Sequence, residues 1–258
     1  MSIRVVQLTD LHLFQDTNGL LAGVPSWNTF GAVLELVNAQ QHKIDYLILT
    51  GDIAQDEAYE TYLMLRDSLG DWVNHCRIIP GNHDNPSHLR KAFPELYSPT
   101  IDALTFDLFA GNWHLIGLDS HVPGEIKGRV DGDQLQWLEY QLTSSPNTQT
   151  LLFIHHPPIP ISVDWIDKLG LNEALELVEL IAGSPQIKVV CAGHVHQEFV
   201  GQIGTATVYT TPSTCVQFGA RTEKSFDNKS AGFRVFDLYE DGYHTKVYRL
   251  ANNRLPIS

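Results

Sequence analysis

Cysteine is scarce in this sequence: its 258 residues include only three, Cys76, Cys191 and Cys215. They are widely spaced and form no CxxC pair. Disulfide-stapled folds and thiolate zinc sites depend on paired, closely spaced cysteines. The sequence therefore argues against a disulfide framework and against a thiolate zinc site, and it suits a reducing compartment.

Basic residues are also few, with 17 lysines and arginines against 30 aspartates and glutamates and a net charge of −13. A surplus of negative charge repels a polyanion, so we predict no nucleic-acid partner and no membrane partner. A small anionic substrate is still allowed, because bound metal ions can reverse the local sign of the field.

Long hydrophobic runs, low-complexity tracts and repeats are absent as well. No apolar run approaches transmembrane length, and the N-terminal MSIRVVQLTD leads into a strand-like segment without a basic-then-apolar signal. No Ser/Gly-rich or Pro-rich linker divides the chain, and 43% of its residues are hydrophobic, so one domain over residues 1–258 is predicted. We expect a soluble, cytoplasmic protein.

The sequence does contain an alternation of short apolar runs and helical patterns. The runs are rich in Ile, Val and Leu, as in buried strands, and lie at Ile3–Leu8, Tyr46–Thr50, Cys76–Pro80, Leu115–Asp119, Thr150–Ile154 and Ile187–Ala192. Helical patterns occur at Trp27–Gln41, Glu57–Leu69, Asp133–Leu142 and Leu171–Ala182. This alternation predicts right-handed crossovers and a largely parallel sheet.

Beyond Glu198 the pattern changes to short alternating runs, FVGQI, ATVYT, GFRVFDL and YHTKVYRL. Runs of this kind predict antiparallel strands, which we expect to complete a second sheet. The predicted fold class is α/β, with two mixed β-sheets packed as a sandwich and helices flanking them in four layers.

Polar residues directly follow five of the predicted strands. The segments are Thr9–His12, Gly51–Asp52, Gly81–Asp84, His155–His156 and Gly193–His196. Turn chemistry explains a Gly or an Asn, but it does not require the histidine in the stretch GNHD. Because ligands of open α/β sheets bind outside the carboxyl ends of the strands, these segments are predicted to form one shared site.

The candidate ligands in these segments offer oxygen and imidazole nitrogen but no thiolate: Asp10, His12, Asp52, Asn82, His155, His194 and His196. Such a set suits Fe, Mn, Zn, Ni or Co, and it is too large for one tetrahedral ion. In D-x-H and H-x-H, residues two apart point to the same side of extended backbone, so each pair could serve one metal or both. Two adjacent metals can polarise a phosphoryl group, generate hydroxide at neutral pH and stabilise in-line displacement.

The motifs D-x-H, G-D, G-N-H-D, H and G-H-x-H, in this order across residues 10–196, resemble the calcineurin-like metallophosphoesterase superfamily. The segments GDIAQD, GNHD, AGHVHQE and TPSTCVQF resemble, more narrowly, the bacterial class III 3′,5′-cyclic-AMP phosphodiesterases. The resemblance implies hydrolysis of 3′,5′-cyclic AMP to 5′-AMP by in-line attack of a metal-bridging hydroxide. It also implies two divalent or mixed-valence ions of Fe, Mn or Zn, and it suggests a homodimer.

Carried over by residue, the resemblance implies that one metal is bound by Asp10, His12 and His196 and the other by Asn82, His155 and His194. Asp52 would bridge them. The catalytic residues would be His83, which faces the phosphate, and Asp84, which orients His83 and raises its basicity. Substrate contacts would come from Asn82, His83 and His196.

Two alternatives stay open from the sequence. The same chemistry could act on other small phosphoesters, such as glycerophosphodiesters or 2′,3′-cyclic nucleotides, because specificity depends on loop geometry. A binding module that keeps the fold without catalysis is disfavoured, since no ligand position is missing. Around the site, Phe14, Trp27 and Phe218 are candidates for stacking on a base, Thr211 and Ser213 are candidate nucleotide contacts, and His156 is expected to point away from His155.

Overall fold

The structure is a computed structural model that describes residues 2–40, 43–98, 101–220 and 223–251. In chain order its strands are β1 (Ile3–Leu8), β2 (Leu20–Leu21), β3 (Val24–Pro25), β4 (Tyr46–Thr50), β5 (Cys76–Ile79), β6 (Phe106–Ala110), β7 (Trp113–Leu118), β8 (Gln149–Ile154), β9 (Ile187–Ala192), β10 (Phe199–Ile203), β11 (Ala206–Thr210), β12 (Gln217–Phe218), β13 (Phe226–Asp227), β14 (Gly232–Leu238) and β15 (Tyr243–Arg249). All six apolar runs that precede Glu198 are strands, within two residues at each end.

The helices are α1 (Ser26–Asn38), α2 (Tyr59–Leu69), α3 (Pro86–Ala92), α4 (Gly132–Ser144), α5 (Asp164–Asp167) and α6 (Leu175–Gly183). The four predicted helices correspond to α1, α2, α4 and α6, although the predicted end of the first, Gln41, lies outside the described residues. The helical pattern did not predict α3 or α5, which are only 7 and 4 residues long. In the described part of the chain, no helix is long and apolar enough to cross a membrane.

Two sheets carry most of the strands. The five-stranded sheet has the order β15-β14-β1-β4-β5, and the six-stranded sheet has the order β10-β11-β9-β8-β7-β6. Within them, β1, β4 and β5 are parallel, as are β7, β8, β9 and β11. All five strands that lead into the polar segments lie in these parallel parts, so their carboxyl ends meet at one edge of each sheet.

The late strands do not complete one second sheet, as expected, but are divided between the two sheets. The β10–β11 hairpin extends the six-stranded sheet, where β11 runs parallel to β9. The β14–β15 hairpin instead pairs with β1, antiparallel, in the other sheet. Alternation of apolar and polar residues along a strand indicates that one face is buried, but it does not identify the neighbouring strand. The sequence pattern therefore could not predict which sheet each late strand joins.

Side chains of each sheet alternate between two cores. Val5 and Ile48 point between the sheets, where they meet Phe153 of the facing sheet. Their neighbours Val6 and Leu47 point outward and pack with residues of α1 and α2. The far face of the six-stranded sheet packs in the same way against α4 and α6. This period-two alternation produces the predicted four layers, helix, sheet, sheet and helix.

Candidate metal centre

The polar segments after the five strands converge at the strand ends. One group of ligand atoms, within 4.8 Å of one another, comes from four buried residues, Asp10, His12, Asp52 and His196. A second group with the same spacing comes from His155, His156 and His194. Asn82 joins the second group, because its Oδ1 lies 3.0 Å from His194 Nδ1. The structure thus brings together all seven ligands that the sequence suggested.

Asp52 lies between the two groups. Its Oδ2 is 3.7 Å from Nε2 of His12, in the first group. Its Oδ1 is 3.4 Å from Nε2 of His155, in the second group. A carboxylate whose two oxygens face two separate ligand groups has the geometry of a bridging ligand.

The turns that carry these ligands hold the backbone in the left-handed region. Positive φ angles occur at nine described residues other than glycine, and five of them are predicted ligands, Asp10, His12, Asp52, His194 and His196. Such conformations cost about 1–3 kcal/mol each and cluster at functional sites. The sequence argument had assumed extended backbone for the D-x-H and H-x-H pairs. That assumption was wrong, because both strands end before the pairs begin.

A close approach of two turns explains one glycine beside these ligands. Gly51 has a φ of 90°, and a Cβ added there would lie 2.5 Å from the backbone nitrogen of Gly81 and from Nδ1 of His155. Only a residue without a side chain allows the Asp52 turn to pack against the His155 ring in this way.

Each of the four ligand histidines is held from behind by an oxygen acceptor. His12 Nδ1 donates to Gln55 Oε1 at 2.8 Å and His155 Nδ1 donates to the carbonyl of Thr50 at 2.7 Å. The other two also use backbone carbonyls: His194 Nε2 donates to Leu169 at 3.0 Å, and His196 Nδ1 donates to Val216 at 2.8 Å. Because these oxygens can only accept, each rear nitrogen carries a hydrogen, and the front nitrogen is the one turned toward the site.

The front nitrogens face other acceptors. His12 Nε2 and His196 Nε2 lie 3.1 Å apart, and His194 Nδ1 faces Asn82 Oδ1 at 3.0 Å. His155 Nε2 is buried and makes no hydrogen bond. Acceptors turned toward acceptors in a buried site repel one another, and a cation between them removes the repulsion. The residues present therefore fit a pair of metal ions.

The charges of the site agree with this fit. Burial opposes ionisation of Asp10 and Asp52, but the facing rings of His196 and His155 outweigh it and lower the pKa of both carboxyls, that of Asp52 well below its usual range. Burial lowers the pKa of His12 to about 4 and that of His194 to about 3, so both rings are neutral at pH 7. Anionic carboxylates and neutral imidazoles are the states in which these groups bind metals.

His155 differs from His12 and His194 in its protonation. Burial lowers its pKa, but the adjacent Asp52 carboxylate outweighs burial and raises the pKa to about 9. Binding of a metal ion at Nε2 would therefore release a proton to solvent.

His83 lies beside the first ligand group. Its ring is half-buried and 5.3 Å from the ring of His12 between centroids. Its backbone N–H donates to Asp52 Oδ1 at 2.9 Å, and its ring Nδ1 accepts from Nε2 of Gln55 at 3.1 Å. The second ring nitrogen, Nε2, is left without a protein partner among these contacts and is free to meet a ligand.

The carboxylate of Asp84 does not perform the predicted orientation of His83. It accepts hydrogen bonds from the backbone N–H groups of Gly81 at 2.8 Å, Ile53 at 3.0 Å and Ala54 at 3.1 Å, and from the Tyr62 hydroxyl at 3.0 Å. Burial and the nearby charge of Asp52 raise its pKa to about 7. Asp84 thus joins the Asp52 turn to the His83 turn, and Gln55 is the side chain that holds the His83 ring.

His156 packs beside the second group, with its ring centroid 4.5 Å from that of His194. Both of its ring nitrogens have protein partners, the hydroxyl of Ser120 at 2.8 Å and the carbonyl of Ile126 at 2.9 Å. It therefore packs against the candidate ligand His194. Its ring lies 4.8 Å from that of His155 between centroids, so the expectation that it points away from His155 was wrong.

The other candidates for nucleotide contact mostly support the site. Ser213 donates to the carbonyl of Asp10 at 2.7 Å, and Thr211 donates to Gln7, and both are buried. Trp27 donates to the carbonyl of Phe14 at 2.6 Å. Phe218 stacks on the His196 ring with centroids 3.9 Å apart.

Gln55 is a residue of the site that the sequence analysis did not predict. It contacts His83, 28 residues away, and His12, 43 residues away, and the residues around Gln55 in the sequence give no sign of these contacts.

Comparison with known proteins identifies the family. A family model described as "Calcineurin-like phosphoesterase" matches residues 3–198. A 3′,5′-cyclic adenosine monophosphate phosphodiesterase, CpdA, from Escherichia coli K12 is 36% identical over 258 residues, which cover 98% of this chain and 91% of that protein. A 3′,5′-cyclic-nucleotide phosphodiesterase from Nostoc is 33% identical over 263 residues, covering 100% of this chain and 96% of that protein.

Solved structures agree on the fold. A dimetal phosphatase from Danio rerio aligns with a TM-score of 0.69 at 14% identity and covers 96% of this chain and 99% of its own. The family model, the near full-length relatives and the shared fold lead to one conclusion: the chain belongs to the calcineurin-like phosphoesterase family.

Proposed function

We propose that this protein is a dinuclear metal-dependent phosphodiesterase that hydrolyses 3′,5′-cyclic AMP to 5′-AMP. The observation that carries the chemistry is the orientation of four histidines, each hydrogen-bonded from behind and turning its other ring nitrogen into one of the two ligand groups. The substrate is supported by the relatives that align along almost the whole chain, which are named as phosphodiesterases of cyclic nucleotides.

In this proposal one ion is held by Asp10, His12 and His196 and the other by Asn82, His155 and His194, with Asp52 as the bridge. The absence of thiolate favours Fe, Mn or Zn bound by oxygen and nitrogen. When bound there, the two ions would supply hydroxide at neutral pH and charge neutralisation at the phosphoryl group.

His83 would act on the substrate directly. Because Gln55 donates to its Nδ1, the ring hydrogen lies on Nε2, the ring nitrogen that Gln55 leaves open. From there it can donate to a phosphoryl oxygen or protonate the 3′-oxygen as the P–O3′ bond breaks, which leaves a 5′-nucleotide. Asn82 and His196, which belong to different ligand groups, would complete the contacts to the phosphate.

The proposal extends to the domain organisation, the compartment and the partners of the protein. We take residues 1–258 as one catalytic domain that acts in the cytoplasm on a small phosphodiester, without a nucleic-acid or membrane partner. A homodimer is proposed on the family resemblance alone, and sedimentation of the purified protein tests it.

The test is hydrolysis of 3′,5′-cyclic AMP by purified protein after chelation and after reloading with iron, manganese or zinc. Parallel reactions use cyclic GMP, 2′,3′-cyclic AMP, glycerophosphocholine and a chromogenic bis-phosphodiester. Metal-dependent release of 5′-AMP with the highest kcat/KM is expected. Turnover restricted to the chromogenic or glycerol diesters would overturn the cyclic-AMP assignment, and two bound metals without any turnover would favour a binding module.

A further inference from the structure

Gln55 lies at a position from which it reaches two functional rings. Its backbone is fixed because its N–H donates to the carbonyl of Leu13 at 2.8 Å, while Leu13 N–H donates to the carbonyl of Ile53 at 2.9 Å. These bonds join the turn after β4 to the turn after β1. The half-buried amide of Gln55 is thereby placed between His12 and His83.

The two ends of the amide impose opposite states on the two rings. Oε1 lies 2.8 Å from His12 Nδ1 and can only accept, so the His12 hydrogen is on Nδ1 and its Nε2 lone pair faces the site. Nε2 lies 3.1 Å from His83 Nδ1 and can only donate, so the His83 hydrogen is on Nε2. One ring presents an acceptor and the other a donor.

If the oxygen and nitrogen of the Gln55 amide were exchanged, neither ring would have its hydrogen on the nitrogen that the proposed roles require. With the amide nitrogen toward His12, that ring would carry its hydrogen on Nε2, which lies 3.1 Å from His196 Nε2 inside the ligand group. With the amide oxygen toward His83, Nε2 of that ring would become an acceptor facing the position of an anionic phosphate. Only the orientation with Oε1 toward His12 and Nε2 toward His83 makes His12 a ligand and His83 a donor.

Gln55 also differs from the groups behind the other ligand histidines. His155, His194 and His196 are held by backbone carbonyls, which no side-chain substitution removes. Among the hydrogen bonds of the described residues, His12 alone of these four is held from behind by a side chain. A substitution at position 55 is therefore expected to affect both His12, in the first ligand group, and the ring of His83.

We propose that Gln55 is a positioning residue that sets the hydrogen positions of His12 and His83 jointly, so that the first binds a metal and the second donates to the phosphate. The inference rests on the proposed function for the role of His83. A carboxylate at this position separates the two effects, because it still accepts from His12 but has no hydrogen to give to His83.

The experiment compares Gln55→Met and Gln55→Glu with the wild type, and uses Gln136→Glu on the exposed face of α4 as a control for added charge. Metal affinity is measured by titrating zinc into chelator-stripped protein. Ring hydrogens are located by nitrogen-15 spectra of the histidines in the zinc-loaded protein, and kcat and KM are measured for the substrate that the wild type hydrolyses best.

Gln55→Met is expected to lose about tenfold or more in both zinc affinity and kcat, with little change in KM, because both rings lose their partner. Gln55→Glu is expected to keep zinc affinity close to the wild type and to show a hydrogen on His83 Nδ1, facing the new carboxylate. The control should match the wild type in every measurement.

Zinc affinity and kcat of Gln55→Met within twofold of the wild type would overturn the inference. So would a spectrum in which the His83 hydrogen stays on Nε2 alone in Gln55→Glu. If the wild type hydrolyses no diester, the proposed function fails, yet the affinities and spectra still decide whether Gln55 positions the two rings.

Discussion

The Nε2 atoms of His12 and His196 face one another at a distance of 3.1 Å, and each ring carries its hydrogen on the opposite nitrogen. Both rings are almost fully buried. Two lone pairs at this distance repel, so the fold holds an arrangement that is unfavourable until a cation lies between them. Positive φ angles at both residues add to the free energy that metal binding has to offset.

Removal of metal is therefore expected to destabilise the folded protein measurably. At a metal concentration one hundred times Kd, binding to the folded state contributes about 2.7 kcal/mol per site. For a chain of this size that corresponds to a rise in Tm of roughly 5–10 °C. Thermal unfolding followed by circular dichroism, with chelator and with increasing zinc or manganese, measures the shift. A Tm that does not depend on metal concentration would contradict the metal assignment.

Asn82 and His83 are adjacent in sequence, but their substitutions should have different effects. Asn82 Oδ1 faces His194, so Asn82→Ala is expected to lose one metal and most activity. His83 contacts Asp52 only through its backbone N–H, which alanine keeps, so His83→Ala should retain both metals. Its kcat should fall about 10²–10⁴-fold, the usual contribution of a general acid. Metal content is measured by elemental analysis, and kcat by release of 5′-AMP.

This pair of variants also tests the separation of roles. Retention of two metals in Asn82→Ala would remove Asn82 from the ligand set. A kcat unchanged in His83→Ala would show that His83 does not act on the substrate.

Asp84 is expected to act on stability more than on chemistry. Asp84→Ala leaves the buried N–H groups of Gly81, Ile53 and Ala54 without their acceptor, which should cost at least about 3 kcal/mol of unfolding free energy. Tyr62→Phe is the matched control, because it removes one donor from the same carboxylate and should cost about 1–2 kcal/mol. Urea unfolding of the three proteins gives the comparison. A loss of kcat without a loss of stability in Asp84→Ala would restore the orienting role that the sequence suggested.

The sequence predicted the fold and the convergence of the seven candidate ligands well because both depend on local signals. Strands β1, β4 and β9 begin and end where their apolar runs do, and the ligands follow those ends directly. What it could not predict depends on contacts between distant segments. The left-handed turn at Asp10, the pairing of β14 with β1 and the reach of Gln55 to His12 and His83 are set by packing, which a local pattern does not record.

Asp119 is a buried carboxyl outside the ligand set, directly after β7. Its Oδ2 accepts from the N–H of Leu104 at 2.8 Å and its Oδ1 accepts from the N–H of His121 at 2.9 Å. Burial raises its pKa to about 6 from an ordinary value of 3.8. Between these two values the folded protein holds a proton that the unfolded chain has already released.

The stabilising effect of that proton should therefore be lost as the pH rises from about 4 to above 6. Asp119→Asn cannot titrate, and it lacks one hydrogen-bond acceptor at every pH. Its unfolding free energy should therefore differ from that of the wild type by a constant amount, to which the pH-dependent contribution of the Asp119 carboxyl is added. Between pH 4 and pH 7.5 the unfolding free energy of the wild type should fall by about 1–3 kcal/mol relative to Asp119→Asn. Urea unfolding of both proteins in chelator at the two pH values measures this difference, because the titration of the metal ligands is common to both and cancels. Equal pH dependence in the two proteins would mean that Asp119 is ionised in the fold throughout this range.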